Sequence, residues 1–169
     1  ALVLDSAREV ADAFFAGRCA AYSSDASQLA AARLRAPGGQ NAYVILPDRI
    51  SKEPLAPVVW GGDPEWTTVV RWVLFALLIA EEEGITQANV DAKAATGVGE
   101  LAWLTGQERK LIGEALVLKP GWAMRAVRAV GNYAELYDRN VGAASPLKIE
   151  RGPNRLWTQG GLMYPPPID

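Results

Sequence analysis

Apolar residues along the chain alternate between two patterns. Three short unbroken runs, ALVLD (1–5), CAAY (19–22) and AYVILP (42–47), are each bounded by turn or capping residues and predict strands. Between them, SAREVADAFFAG (6–17) places Val10, Phe14 and its alanines on one helical face. Ser6 stands as N-cap, Glu9 three residues on as capping-box partner, and Gly17 as the stop. A second helix is predicted from about Ala26 to Arg35, ended by APGG. Residues 1–47 therefore read β-α-β-α-β with short connections, the pattern of an α/β fold with a parallel sheet. Such a sheet is small and two-edged for an arrangement that normally needs both faces covered. An apolar strand at the first residue points to elements that once preceded it.

From residue 48 the character changes. The stretch DRISKEPLAPVVWGG (48–62), with its prolines and mixed charges, predicts an extended crossing segment. From 63 onward the chain reads mostly helical. Asp63 as N-cap, Pro64 at the first helical position and Gly84 as the stop delimit a long helix. It is apolar all round between Trp72 and Ala80, as expected of a central buried helix. The run WVLFALLIA is about half the ~20 residues a membrane span requires. Residues 86–118 predict two or three short helices. PGWAMRAVRAVGNYAELYDRNVG predicts a single long amphipathic helix carrying Trp122, Ala126, Val130, Tyr133 and Tyr137 on one stripe. Gly131 within it signals close packing more than a break. The turn-rich tail from Ser145 offers Trp157 and Tyr164 as its pins to the body.

Composition narrows the chemistry. The 169 residues are half hydrophobic and 21% charged, the balance of a globular chain, and the net charge of −2 argues against a nucleic-acid binder. No histidine is present, which removes the commonest general base and metal ligand. Cys19 is the single cysteine, so no internal disulfide or thiolate metal site forms within the chain, and in an apolar run it reads as a small buried hydrophobe. No cofactor and no enzymatic nucleophile are expected. The opening ALVLDSAREV shows neither the basic n-region nor the cleavage site of a signal peptide.

One residue stands out as a candidate ligand group. In CAAY-SSD-ASQLAAARL, Asp25 lies at the carboxyl end of a predicted parallel strand, the edge where ligands of open α/β sheets collect. A carboxylate there accepts charge-assisted hydrogen bonds from an ammonium group. Asp25 equally suits a plain N-cap, and the two roles are compatible, one oxygen capping while the other faces a cleft. Other features read as structural. Trp66, Trp72, Trp103 and Trp122 fall on helical faces and suit a core, whereas Trp60 beside GGD could border a cleft. EEEG (81–84) at a helix C-terminus works against the helix dipole and reads as a solvated end. GVGEL (97–101) lacks the setting and the Lys of a phosphate loop.

Taken together, AGRCAAYSSDASQLAAARL, VILPDRISKEPLAPVV, GDPEWTTVVRWVLFALLIAEEEGITQANVD, AVGNYAELYDRNVG and SPLKIERGPNRLWTQGGLMYPPP resemble the substrate-binding proteins of general L-amino-acid ABC transporters, of the type 2 periplasmic binding-protein fold. The likeness runs through nearly the whole chain in the same order. It implies two α/β lobes joined by crossing strands and closing on an amino acid. Residues 1–47 then correspond to part of the second lobe, 48–62 to the crossing or hinge segment, and 63–169 to a mostly helical C-terminal region that packs on the first-lobe side. In the family motif ending TTD the acid meets the ligand's α-ammonium, and the matching residue is Asp25 in SSD, where Ser23 and Ser24 keep the hydroxyls.

The departures are as informative. The resemblance leaves out nearly all of the first lobe, including the Arg expected to clamp the ligand's carboxylate, and the Gly/Thr-rich loop that opens the second. The family's GRCD reads GRCA here, with Ala20 in place of the acid. A second Cys on the absent strand of some relatives would make Cys19 half of a lost disulfide. The expectation is a C-terminal portion of a periplasmic solute-binding component, impaired in binding an L-amino acid alone. The complete protein would present its closed form to the permease of the transporter. The competing expectation is a truncated remnant, paired edge to edge or domain-swapped into a homodimer, with a structural role and no ligand.

Overall fold

The computed structural model describes residues 3–96 and 111–167. The chain divides into two compact units, Ala1–Leu55 with Val141–Glu150, and Ala56–Asn140 with Arg151–Asp169.

The first unit carries α1 (Ala7–Phe15), α2 (Ala26–Leu34) and a 3-10 turn at Gln40–Ala42. The start of α1 follows the sequence closely. The Ser6 hydroxyl accepts from the Glu9 amide at 3.2 Å, while the Glu9 carboxylate reaches back to the amide of Asp5, one residue earlier than in a standard capping box. Its end is equally local: Gly17 takes φ +74°, and the Arg18 amide returns to the Ala13 carbonyl at 3.0 Å. The buried hydrophobic residues here are alanines, Ala13, Ala30, Ala32 and Ala36. A ring cluster joins the turn to the helix, with Tyr43 lying 5.5 Å from Phe14 and 5.1 Å, edge-on, from Phe15.

The expected parallel sheet is not formed. Among the described residues there is no strand, and the runs 19–22 and 43–46 carry no ladder. Of the first run only Val3–Asp5 is described, and it is likewise unpaired. Parallel pairing is the weaker kind per residue and depends on cover over both faces. In this unit the aromatic rings of α1 cover Tyr43, while the next positions stand open to solvent: Val44 is 79% and Leu46 63% exposed. The sequence supplies strand-forming runs without supplying the neighbours that would make them a sheet.

The second unit is built on α3 (Pro64–Glu82), with α4 (Val90–Ala94), α5 (Leu111–Ala115), α6 (Trp122–Val130) and α7 (Tyr133–Asn140). Asp63 caps α3 as expected, accepting from the Trp66 amide at 2.8 Å with Pro64 in the first turn, and Gly84 ends it at φ +63°. The core joins Ala76, Leu77, Ile79 and Ala80 of α3 to Ile85, Val90 and, from α6, Ala123, Met124 and Val127. Trp122, Ala126, Val130 and Tyr133 of the expected stripe pack against it half-buried. Trp72 and Phe75 meet edge-on at 5.6 Å, whereas Trp66 and Trp60 are exposed, so the core reading fails at Trp66. Trp103 and GVGEL lie outside the described residues.

The single long helix expected over 120–142 is two. Gly131 takes φ +79° with ψ −177°, a conformation open to glycine alone, and the helix stops there. The next helix starts on a capping box: Asn132 accepts from the Glu135 amide at 3.0 Å, and Glu135 accepts from the Asn132 amide at 2.9 Å. Close packing also holds, since a Cβ on Gly131 would lie 2.7 Å from Glu135 Oε2. The same joint secures the end of α3. Asn132, buried, donates to the Ile85 carbonyl at 2.7 Å, and Glu135 accepts from the Gln87 amide at 3.0 Å.

Candidate functional site

Asp25 occupies the N-cap position of α2, with φ −55° and ψ 144°, but its side chain does not cap the helix. Instead a small relay of side chains orients it. The Ser24 hydroxyl donates to Gln28 Oε1 at 2.8 Å, which turns the amide nitrogen of Gln28 toward Asp25, where it donates to Oδ2 at 3.1 Å. Among the described residues Oδ1 has no protein partner, and the residue is half-buried. Of the two roles the sequence offered, the side-chain cap is not made. A carboxylate with one oxygen steadied and the other open is suited to accept from an ammonium or another cationic donor.

The second concentration of charge was not foreseen. Glu81, in the last turn of α3, takes both terminal nitrogens of Arg151, at 2.5 and 3.1 Å. The side chains are only 6% and 14% exposed. The Arg151 guanidinium also stacks 5.3 Å from the ring centre of Tyr133 and 5.7 Å from that of Tyr137, and donates to the Asn154 carbonyl at 2.6 Å. Beside it, Trp157 donates its indole N–H to Glu82 at 2.6 Å. EEEG is therefore the anchorage of the C-terminal tail, in place of the solvated end expected. Trp157 and Tyr164 remain exposed; the buried pin of the tail is Leu156, which bridges to Met163. Burial pushes the Tyr133 and Tyr137 hydroxyls up from their ordinary range, the nearby Arg151 charge opposing it in both.

Glu81 and Arg151 are committed to each other and, for Arg151, to the Asn154 carbonyl, and a hollow of about 510 Å³ beside them is lined by Glu82, Trp157, Tyr164 and Pro165–Pro167. Among the described residues no cluster of His, Cys, Asp or Glu is arranged to hold a metal ion, and no helix is long and apolar enough to cross a membrane. Cys19 is a free thiol, half-buried. The sequence hinted at the anchorage only through acids where a helix end disfavours them; the partners, Arg151 for Glu81 and Trp157 for Glu82, lie 70 and 75 residues away.

No family model matches the chain. Its relatives are nonetheless clear. It is 48% identical over 168 residues to YhdW of Escherichia coli (strain K12), named as an amino-acid ABC transporter-binding protein, covering 99% of this chain and 49% of YhdW. It is 44% identical to AapJ, the general L-amino acid-binding periplasmic protein of Rhizobium johnstonii, with the same shares covered. Among solved structures it superposes on an ABC transporter periplasmic binding protein from Brucella ovis with glutathione bound, at TM-score 0.88 and 44% identity, over 98% of this chain and 52% of that one. Over nearly all its length the chain is thus homologous to amino-acid ABC transporter-binding proteins, with the fold of part of a periplasmic binding protein. It spans about half the length of the curated relatives it matches.

Proposed function

We propose that the chain is the C-terminal portion of the amino-acid-binding component of an ABC transporter, working in the periplasm, and that Asp25 receives the ligand's α-ammonium. The Asp25 carboxylate carries this reading, with one oxygen held by Gln28 and the other open, in a chain 44–48% identical to transport binding proteins. Residues 1–47 belong to the second lobe, 48–62 to the crossing segment, and 63–169 to the helical region against the first lobe. Closure of the complete protein around its ligand presents a surface to the permease. The role is binding without catalysis.

An ammonium alone is a poor handle: a zwitterion also needs its carboxylate neutralised, and the residues expected to do this lie outside the chain. The isolated chain therefore binds L-amino acids weakly or not at all. Isothermal titration against a panel of L-amino acids is expected to show no heat at micromolar concentrations; micromolar affinity would overturn the impairment. Fusing the chain to the half of AapJ outside the match should restore binding, and Asp25→Ala in that fusion should weaken it about 10- to 100-fold, the worth of a hydrogen bond to a charged group. Unchanged affinity in the Asp25→Ala fusion would remove Asp25 from the site.

A further inference from the structure

The C-terminal tail turns back on itself beside α3. Leu156 bridges to Met163, and the Trp157 amide donates to the Met163 carbonyl at 2.9 Å. Gly161 allows the turn to close, since a Cβ there would run into the Arg155 carbonyl. Trp157 is thereby held at the end of α3, where its indole N–H donates to Glu82 Oε1 at 2.6 Å. Beyond the loop, Tyr164 leads into Pro165–Pro167, whose fixed φ makes a stiff wall. The hollow that these residues line, about 510 Å³, is in the size range of small-ligand sites.

The lining selects a class of ligand. Trp157, Tyr164 and the three prolines present rings, and Glu82 is the one charged residue among them. The Glu82 side chain is half-buried, and its Oε2 has no protein partner among the described residues. Arg151 neutralises Glu81, so the negative end of the α3 dipole adds to the charge of Glu82 without a cation to offset it. An aromatic face beside a carboxylate attracts an organic cation. A primary ammonium brings three N–H donors, more than the Glu82 oxygen and the Tyr164 hydroxyl can satisfy. A quaternary ammonium has no donor to satisfy, and its methyl groups pack directly on rings. We propose that the hollow at the end of α3 is a binding site for a small quaternary ammonium cation, held over the Trp157 and Tyr164 rings with Glu82 as its counter-ion. The site shares no residue with Asp25 and stands whether or not Asp25 receives an amino acid.

The test follows the Trp157 indole N–H signal of the full chain by heteronuclear NMR as choline chloride is added, with Trp157→Phe identifying the signal by its loss. A saturable shift is expected. Dimethylbutanol, the neutral isostere of choline, should bind about 10-fold more weakly, because it keeps the apolar contact and loses the charge. Glu82→Gln retains an acceptor for the indole and should also weaken choline about 10-fold, with the helical circular dichroism unchanged. Tyr164→Leu should weaken it several-fold. No saturable shift, equal binding of the neutral isostere, or unchanged affinity in Glu82→Gln would each overturn the proposal. Ethanolamine binding as tightly as choline would overturn the quaternary preference. Phosphatidylcholine vesicles identify the source of the cation. Co-sedimentation displaced by choline would assign the hollow to a lipid headgroup, whereas choline binding without co-sedimentation would assign it to a free solute; either upholds the cation site.

Discussion

The two units of the chain solve the same problem with different success. The second encloses branched and long side chains, Leu77, Ile79, Ile85, Val90, Met124 and Val127, and ties its polar groups to one another. The first buries only alanines among its apolar side chains. Both units leave large apolar residues in water, Val44 and Leu46 in the first and Val58 and Leu162 in the second, so the contrast lies in what is buried. Both carry well-formed helix caps, so the difference is not one of local structure. Helices satisfy their own hydrogen bonds and need one covered face; strands of a parallel sheet need a paired neighbour and cover on both faces. The helices of the second unit can therefore close on one another where the strand-like runs of the first, without partners, do not.

The comparison can be broken most forcefully at Arg151. Arg151→Ala leaves the Glu81 carboxylate buried without its partner and should cost the second unit about 3–5 kcal/mol, read as a lower urea midpoint by tryptophan fluorescence. Replacing both partners, Arg151→Met with Glu81→Leu, should recover most of that loss, because the penalty lies in the orphaned charge. A double variant as unstable as the single would assign the effect to packing on Tyr133 and Tyr137. Core truncation sharpens the contrast between the units. Ile79→Ala should cost about 2–5 kcal/mol. Leu46→Ala in the first unit should stay within about 0.5 kcal/mol, as exposed positions do. Equal costs would mean that Leu46 is covered in solution.

The smallest effect is one of pH. Burial raises the pKa of Tyr133 above its ordinary value near 10, so the folded state holds the phenol proton more tightly than the unfolded chain. The stabilisation is fully present below pH 10 and is lost as pH rises from there through the raised folded value. Tyr133→Phe should flatten the alkaline decline of the urea midpoint. An unchanged slope would leave Tyr137, shifted the same way, as the group responsible.

What the sequence made legible follows the range of the interactions. Ser6, Gly17, Asp63, Pro64 and Gly84 act within one turn of their own position, and each plays the part its residue type implies. The break at Gly131 was legible too, since Asn132 with Glu135 three residues on is a capping signature; the continuous apolar stripe masked it. Glu81 with Arg151 was not, because nothing local pairs residues 70 positions apart. The sheet failed for the opposite reason: its runs are strand-like, but pairing depends on sequence outside them. At the candidate site, the place of Asp25 at the start of α2 could be read from the helix pattern, although the strand expected before it is not formed. Its orientation by Ser24 through Gln28 required the fold.

The Glu81–Arg151 clasp also sets an order of events during synthesis. At about 5–20 residues per second, Arg151 leaves the ribosome on the order of 4–14 s after Glu81. Throughout that interval the apolar end of α3 is already made, and its terminal acids face water. The nascent helix is thus kept hydrated at one end until the tail arrives to neutralise it. A carboxylate that later becomes a structural partner first serves as a solubilising group, guarding the most hydrophobic element of the chain while it waits.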